Sequence, residues 1–299
     1  MMRRAASLFT PQIIYIGYAV TLVLLLLAGF YPPVRQPDIG ARAWVMVLRG
    51  VIGYSIACIL CLSVAMEHRR DSWFRIAWLA FALNAAASVV RHTADTALWD
   101  LIWPGYSSGT EIAIIRQTAI VLGLGALLAG VIAIVYAFHR MGIGLSPRRW
   151  DVASNAGIFA VLATISYFRQ GLAEFLRPSP LAQGLQELGL TLLAASAACS
   201  ILVYRLARQM SGGRLALTML SVVIYTVLRC ILVCISLFPA IEGFWQPVRI
   251  PLDLAVPWLF ALAAAYRSGI ASHGAAQIPK SSPVSPYVEQ TFPVSQRIS

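Results

Sequence analysis

Residues 112–138 read IAIIRQTAIVLGLGALLAGVIAIVYAF, an apolar run that contains a single charged residue, Arg116. A transmembrane helix needs about 20 largely apolar residues in succession, and this stretch exceeds that length. Backbone N–H and C=O groups in hydrocarbon must be satisfied within the segment, and the run lacks the alternation of a barrel strand. The stretch therefore predicts a helix that spans a membrane.

Seven further stretches have the same character. The chain is 59% hydrophobic and 12% charged, with a mean hydropathy of +0.74, a composition that one soluble core could not hold. We predict an all-α, polytopic transmembrane bundle within residues 1–270, followed by a disordered cytosolic tail at 271–299. If the first span were instead a cleaved signal peptide, seven spans would remain. The eight predicted spans are 12–30, 44–66, 74–97, 112–138, 152–176, 184–204, 215–238 and 250–267.

Basic residues alternate along the predicted loops. They cluster at the N-terminus and after every second span, whereas the intervening loops hold few. Because loops rich in Lys and Arg stay in the cytosol, both termini are predicted to be cytosolic, in a plasma membrane or an endomembrane. The residues on the predicted cytosolic side are Arg3, Arg4, Arg69, Arg70, Arg75, Arg140, Arg148, Arg149, Arg205, Arg208, Arg214, Arg267 and Lys280.

Several classes of function are excluded or disfavoured by residue usage. The net charge of +11 is spread over short loops, which argues against nucleic-acid binding. Lys280 is the one lysine and lies in the tail, so a retinal Schiff base within the bundle is excluded. Cys58 and Cys61 have the spacing of a redox or zinc motif, but an apolar helix without nearby ligands favours simple packing. We predict no metal, no cofactor and no catalytic motif.

Five arginines interrupt the predicted spans. A charged side chain at mid-membrane costs on the order of 3 kcal/mol, so these side chains are expected to face the interior of the bundle or a water-filled cavity. Counting residues from each end of each span places all five in the extracytosolic half. They are Arg49, Arg91, Arg116, Arg169 and Arg229.

Acidic residues are predicted at the same depth. Arg91 and Asp95 are four residues apart, which would let them pair on one helical face beside His92. Arg229 is nearest to mid-membrane, and Asp253 is its favoured partner, followed by Glu187 or Asp95. Two interpretations stay open: a structural network of neutralised charges, or a pocket that binds an anionic group. The candidate residues are Arg49, Arg91, His92, Asp95, Arg116, Arg169, Glu174, Glu187, Arg229 and Asp253.

Three stretches resemble a fungal seven-helix membrane family of unknown function. VIYTVLRCILV at 223–233 is similar to the arginine-bearing penultimate helix of that family, and IVLGLGALL at 120–128 and LQELGLTLL at 185–193 are similar to its middle helices. Glu242 and the Asp253-x-x-x-Pro257 spacing resemble a second family, the fungal lipid-translocating exporters. The compact Arg-to-Glu signature of the exporters is absent here. The first resemblance implies no activity, and the second implies lipid handling.

Two main hypotheses of function follow. One is a transporter or lipid-handling protein whose arginines hold an anionic lipid or a small anionic molecule. The alternative is a receptor or sensor with an extracytosolic ligand pocket. An embedded enzyme that uses Glu174 or Asp253 as acid or base ranks below both, and a purely structural membrane protein remains a further hypothesis. The expected partner is the lipid bilayer, and the sequence gives no indication of oligomeric state.

Overall fold

The computed structural model describes residues 10–30, 47–94, 109–142, 180–209, 214–236 and 251–267, with the isolated positions 149, 153 and 157. Within these ranges the chain forms seven helices and no strand, which confirms the all-α prediction. A π-helical turn, Val47–Val51, leads directly into the second helix. The helices are α1 (Pro11–Phe30), α2 (Ile52–Glu67), α3 (Trp73–Thr93), α4 (Gly109–Arg140), α5 (Pro180–Gln209), α6 (Arg214–Ser236) and α7 (251–267).

Four helices are long and apolar enough to cross a membrane. Their apolar stretches are Trp73–Thr93, Glu111–Arg140, Gly184–Gln209 and Leu215–Leu232, and shorter apolar helices occur at Pro11–Leu24 and Ile52–Glu67. These are the helices of a multi-pass membrane protein. The eight predicted spans are not matched by eight helices, because predicted span 152–176 lies outside the described residues apart from the isolated positions 153 and 157, and the tail at 271–299 lies outside them entirely.

The most deeply buried helix is α7. Phe260, Ala261, Ala263 and Ala264 have no exposed surface. The small alanine side chains let neighbouring helices come close, which is how helices associate when lipid removes the hydrophobic drive between them. The bundle is therefore built around the last helix of the described chain.

Two glycines of other helices seat the bulky side chains of α7. A Cβ placed on Gly17 of α1 would lie 2.6 Å from the ring of Trp258, and one on Gly53 of α2 would lie 2.9 Å from Pro257. Both distances are shorter than real carbon contacts, so neither position has room for a larger residue. Phe260 continues the contacts, with its ring 5.2 Å from Phe81 of α3.

The directions of the helices follow from contacts at two depths. Gly189 of α5 lies near Leu124 of α4, and Leu192 lies near Gly125, so residue numbers rise together and these two helices run parallel. Helices α3 and α4 are antiparallel, because Trp73 contacts Tyr136 while Asn84 lies opposite Gly123.

The direction of α7 can be compared with the directions of α1 and α2. At one end of α7, Pro257 lies beside Gly53 of α2. At the other end, Arg267 interacts electrostatically with Glu67 and His68, so α7 runs parallel to α2. Tyr15 near the start of α1 hydrogen-bonds to Tyr266 near the end of α7, at 3.0 Å between the hydroxyl oxygens. Helices α1 and α7 are therefore antiparallel.

These directions define two ends of the bundle. At the first, which we call the arginine end, α3 and α6 finish and α2, α4 and α7 begin. At the second, which we call the His68 end, α2 and α7 finish and α3 begins. The polar cluster described next lies toward the arginine end.

Candidate functional site

Arg229 is the one charged side chain that the structure buries among the described residues, with 6% of its surface exposed. It projects from α6 toward α3. Its Nη1 donates a hydrogen bond of 3.2 Å to Oδ1 of Asn84 and another of 2.8 Å to the hydroxyl oxygen of Tyr225. The nearest hydrogen-bonding partners of this guanidinium are therefore uncharged.

Asn84 and Tyr225 also bind each other. The Asn84 Nδ2 donates to the Tyr225 hydroxyl oxygen at 2.8 Å, and both residues are fully buried. Tyr225 precedes Arg229 by one helical turn, so its ring also lies 5.7 Å from the guanidinium carbon. Tyr54, from α2, interacts electrostatically with Tyr225. Three helices thus share one closed polar cluster.

Aromatic rings close this cluster on the side away from the arginine end. Tyr225 stacks on Phe260 with ring centres 4.5 Å apart. Phe260 meets the edge of Phe81 at 5.2 Å, and Phe81 meets Trp78 at 5.6 Å. The polar region therefore ends in a layer of packed rings about halfway through the bundle.

Arg91 continues the cluster toward the arginine end. It is half-buried on the last turn of α3 and interacts electrostatically with both Arg229 and Arg116. Like charges repel, and the repulsion grows as the surroundings lose water. Arg116, on the second turn of α4, is exposed. The three arginines thus form a series from the surface to the interior, which we call the arginine series.

For Arg116, which is exposed, the predicted orientation toward the bundle interior or a water-filled cavity stays a prediction. This residue lies only a few residues inside the start of α4, so its long side chain can extend along the helix toward the membrane surface. For Arg49 the structure gives the backbone, which lies in the π-helical turn Val47–Val51, while its side chain and the whole of Arg169 lie outside the described residues.

His92 lies beside the cluster on the last turn of α3. Its imidazole stacks on the ring of Tyr54, with centres 5.5 Å apart, and lies against the backbone of Gly50 so closely that a Cβ there would overlap the ring. Gly50 belongs to the π-helical turn, and single π-helical turns frequently occur at functional sites. The turn and the glycine together hold α2 against the end of α3.

Two of the three predicted carboxylate partners of Arg229, Asp253 and Glu187, belong to the described residues. Asp253 and Glu187 are half-buried on α7 and α5, and neither is among the described residues that hydrogen-bond to Arg229. Helix α3 ends at Thr93, so the helical four-residue pairing of Arg91 with Asp95 is not met within it. Asp95 and Glu174 themselves lie outside the described residues.

The sequence analysis missed Asn84, Tyr225 and Tyr54, which form the centre of the site. Two signals were available. Tyr225 stands four residues before Arg229, the spacing that brings side chains together on a helix. Asn84 is the one Asn in the apolar α3, and an amide there requires a partner.

Comparison of the chain with family models, with curated proteins and with solved structures finds no match. The chemistry of the site therefore has to be argued from its own residues.

Proposed function

We propose that this chain is an eight-span membrane protein that binds an anionic group at the arginine series, as a transporter or lipid-handling protein. The observation that carries the proposal is the pair Arg91 and Arg229. These like charges interact with each other, and no carboxylate of the described residues bonds to either one. An anion placed between them would remove that repulsion.

The directions of the helices support a further span within residues 152–176, which would bring the total to eight. Since α4 and α5 run parallel, the chain must return from the end of α4 to the start of α5, a distance of roughly 40 Å along the bundle. Residues 143–179 make that return, and they contain the apolar stretch 152–176. Because α1 and α7 are antiparallel, an even number of membrane crossings is expected when α1 is counted as the first and α7 as the last, and eight spans satisfy this.

Cysteine labelling tests this topology. In a chain whose native cysteines are replaced, Ser146→Cys and Ser179→Cys should react with a membrane-impermeant reagent from opposite sides of sealed vesicles. Tags on both termini should be protected in intact cells, because both termini are proposed to be cytosolic. Labelling of both cysteines from one side would contradict the eight-span arrangement.

Binding tests the function. The purified full chain in nanodiscs should bind anionic lipids more tightly than phosphatidylcholine, and Arg229→Gln should lower that affinity about tenfold or more, as expected for a lost charged hydrogen bond. Arg208→Gln removes an exposed arginine at the end of α5 and serves as the matched control. Equal binding of all lipids, or an equal loss in the control, would exclude a specific anion site.

A receptor or sensor is the second candidate, and one observation favours it. The layer of Trp78, Phe81, Phe260 and Tyr225 closes the polar cluster, so an anion held at Arg229 meets packed rings rather than a path onward. A measurement of anion flux in proteoliposomes distinguishes a transporter from a receptor. Transport of a bound anion above the rate of protein-free vesicles supports a transporter, whereas binding without transport supports a receptor.

A further inference from the structure

We propose that the group bound at the arginine series is a doubly charged phosphate, a phosphomonoester, rather than a singly charged carboxylate or phosphodiester. This inference rests on the proposed anion site and adds the chemical class of its ligand. It is carried by the donor groups of Arg229, by the number of charges at the site, and by the position of the outermost arginine.

The first observation concerns the edge of Arg229 that makes no hydrogen bond to a described residue. Both of its hydrogen bonds to described residues come from Nη1. Its Nε and Nη2 have no acceptor among those residues, although the side chain is only 6% exposed. These two nitrogens form the planar fork that binds two oxygen atoms of one phosphate or carboxylate. The edge is therefore a pre-positioned oxyanion donor.

The second observation is the charge count. Arginine stays protonated in proteins, so Arg91 and Arg229 bring two positive charges into one partly buried region. Their described neighbours Asn84, Tyr54 and Tyr225 are neutral and supply none in return. A singly charged ligand would leave one positive charge uncompensated. A phosphomonoester carries between about 1.5 and 2 negative charges at neutral pH and compensates both.

The third observation concerns access. Arg116, the outer member of the series, is exposed near the start of α4, and the apolar side chain of its chain neighbour Ile115 is exposed as well. A face that carries exposed apolar residues on a membrane helix meets lipid, and Arg116 lies near the helix end, where lipid headgroups lie. A headgroup phosphate can therefore approach sideways along α4, whereas a soluble phosphate would approach from the end of the bundle.

The test compares lipids whose anionic groups differ in charge and chemistry, on the purified full chain in nanodiscs. Phosphatidate carries a phosphomonoester, phosphatidylglycerol a singly charged phosphodiester, and oleate a carboxylate. We expect phosphatidate to bind about tenfold more tightly than either, since one additional charged hydrogen bond is worth about that factor. Inorganic phosphate and a soluble phosphomonoester form the second arm, and binding only in the lipid arm identifies the lipid as the source.

The variants and the pH dependence make the result specific. Arg229→Lys keeps the charge but loses the fork, so the affinity for phosphatidate should fall although the net charge of the site is unchanged. Lowering the pH below about 6 adds the second proton to phosphatidate and should weaken its binding but not that of phosphatidylglycerol. Arg208→Gln should leave every affinity unchanged.

The outcomes separate the two proposals. Equal affinity for phosphatidate, phosphatidylglycerol and oleate, each lost in Arg91→Gln, would overturn the phosphomonoester while leaving an anion site in place. Failure of every anion to bind the folded wild-type chain would overturn the anion site itself.

Discussion

The arginines at the two ends of the bundle differ in their burial and in their partners. At the arginine end, Arg229 is buried and Arg91 half-buried, and the described hydrogen-bonding partners of Arg229 are the neutral Asn84 and Tyr225. At the His68 end, Arg140 is exposed, its Nε donates to the Tyr136 hydroxyl at 3.1 Å, and the guanidinium lies over the Tyr136 ring. An exposed arginine beside an aromatic ring is an ordinary membrane-interface anchor. A buried arginine pair needs a different explanation.

The interior between the ends differs as well. Next to the arginine end, three hydrogen bonds join Asn84, Tyr225 and Arg229 from two helices. Toward the His68 end the core consists of apolar side chains such as Leu60, Val64 and Phe138. The difference teaches that, among the described residues, the buried hydrogen bonds between side chains of different helices lie at one depth. Removing a neutral partner of Arg229 should therefore lower the stability of the protein more than removing the charge of Arg229 itself.

The largest effect is expected for Asn84→Leu. This change removes one acceptor from Arg229 and one donor from Tyr225 while leaving the charge buried, which typically costs about 3 kcal/mol of stability. The control is Ser88→Ala, one turn later on α3, whose hydroxyl bonds only to the Asn84 carbonyl oxygen of its own helix. It should cost less than about 1 kcal/mol. Reversible unfolding in detergent measures both, and equal losses would mean that the cluster contributes no special stability.

A smaller effect on stability is expected for Arg229→Leu. After this change Asn84 and Tyr225 still bond to each other, and the repulsion from Arg91 is gone. Replacing a buried charge by an apolar side chain of similar size is often neutral or stabilising, so the change in unfolding free energy should stay within about 1 kcal/mol.

This second result discriminates between the structural and the sequence-based account of Arg229. The sequence predicted a carboxylate partner, whose charge would be left unpaired by Arg229→Leu at a cost of about 3 to 5 kcal/mol. A loss of that size, recovered by adding Asp253→Leu or Asp95→Asn, would restore the structural-network interpretation. A stable variant that no longer binds anions would support the binding role.

Helices were well predicted because length and apolarity are sufficient to find them in a membrane protein. Predicted span 112–138 corresponds to Gly109–Arg140, and 215–238 corresponds to Arg214–Ser236. Helix ends that are set by hydrogen bonds were harder to predict from the sequence. Predicted span 74–97 extends beyond Thr93, where α3 stops, the Thr93 hydroxyl bonds to the Val90 carbonyl oxygen, and Ala94 leaves helical geometry. The residues that follow are partly apolar, so a hydropathy window cannot detect this end.

The site was only half predictable for a related reason. Arg229 is conspicuous because a charge in an apolar run is costly wherever it lies. Asn84 and Tyr54 carry no charge and are therefore less conspicuous, and only the packing of α2, α3 and α6 shows that they meet. The assumption that a membrane charge needs an opposite charge also misdirected the search, since amide and hydroxyl oxygens can satisfy part of a guanidinium.

The smallest effect concerns the His68 end. Burial, and then the nearby Arg267, lower the pKa of His68 below its ordinary value, and its Nε2 is buried without a described hydrogen-bond partner. The unfolded chain therefore takes up the proton at a higher pH than the folded chain, so stability is fully present above the unfolded pKa of about 6.5 and decreases as pH falls below it.

The melting temperature should thus decline from pH 7.5 to pH 5.5, and His68→Phe, which retains a ring to stack on Phe74, should flatten that decline. Glu67 also interacts electrostatically with Arg267, and this interaction is unchanged in the variant. If the wild-type and His68→Phe profiles coincide between pH 7.5 and pH 5.5, His68 does not titrate against the fold, and the contrast between the ends rests on the arginines alone.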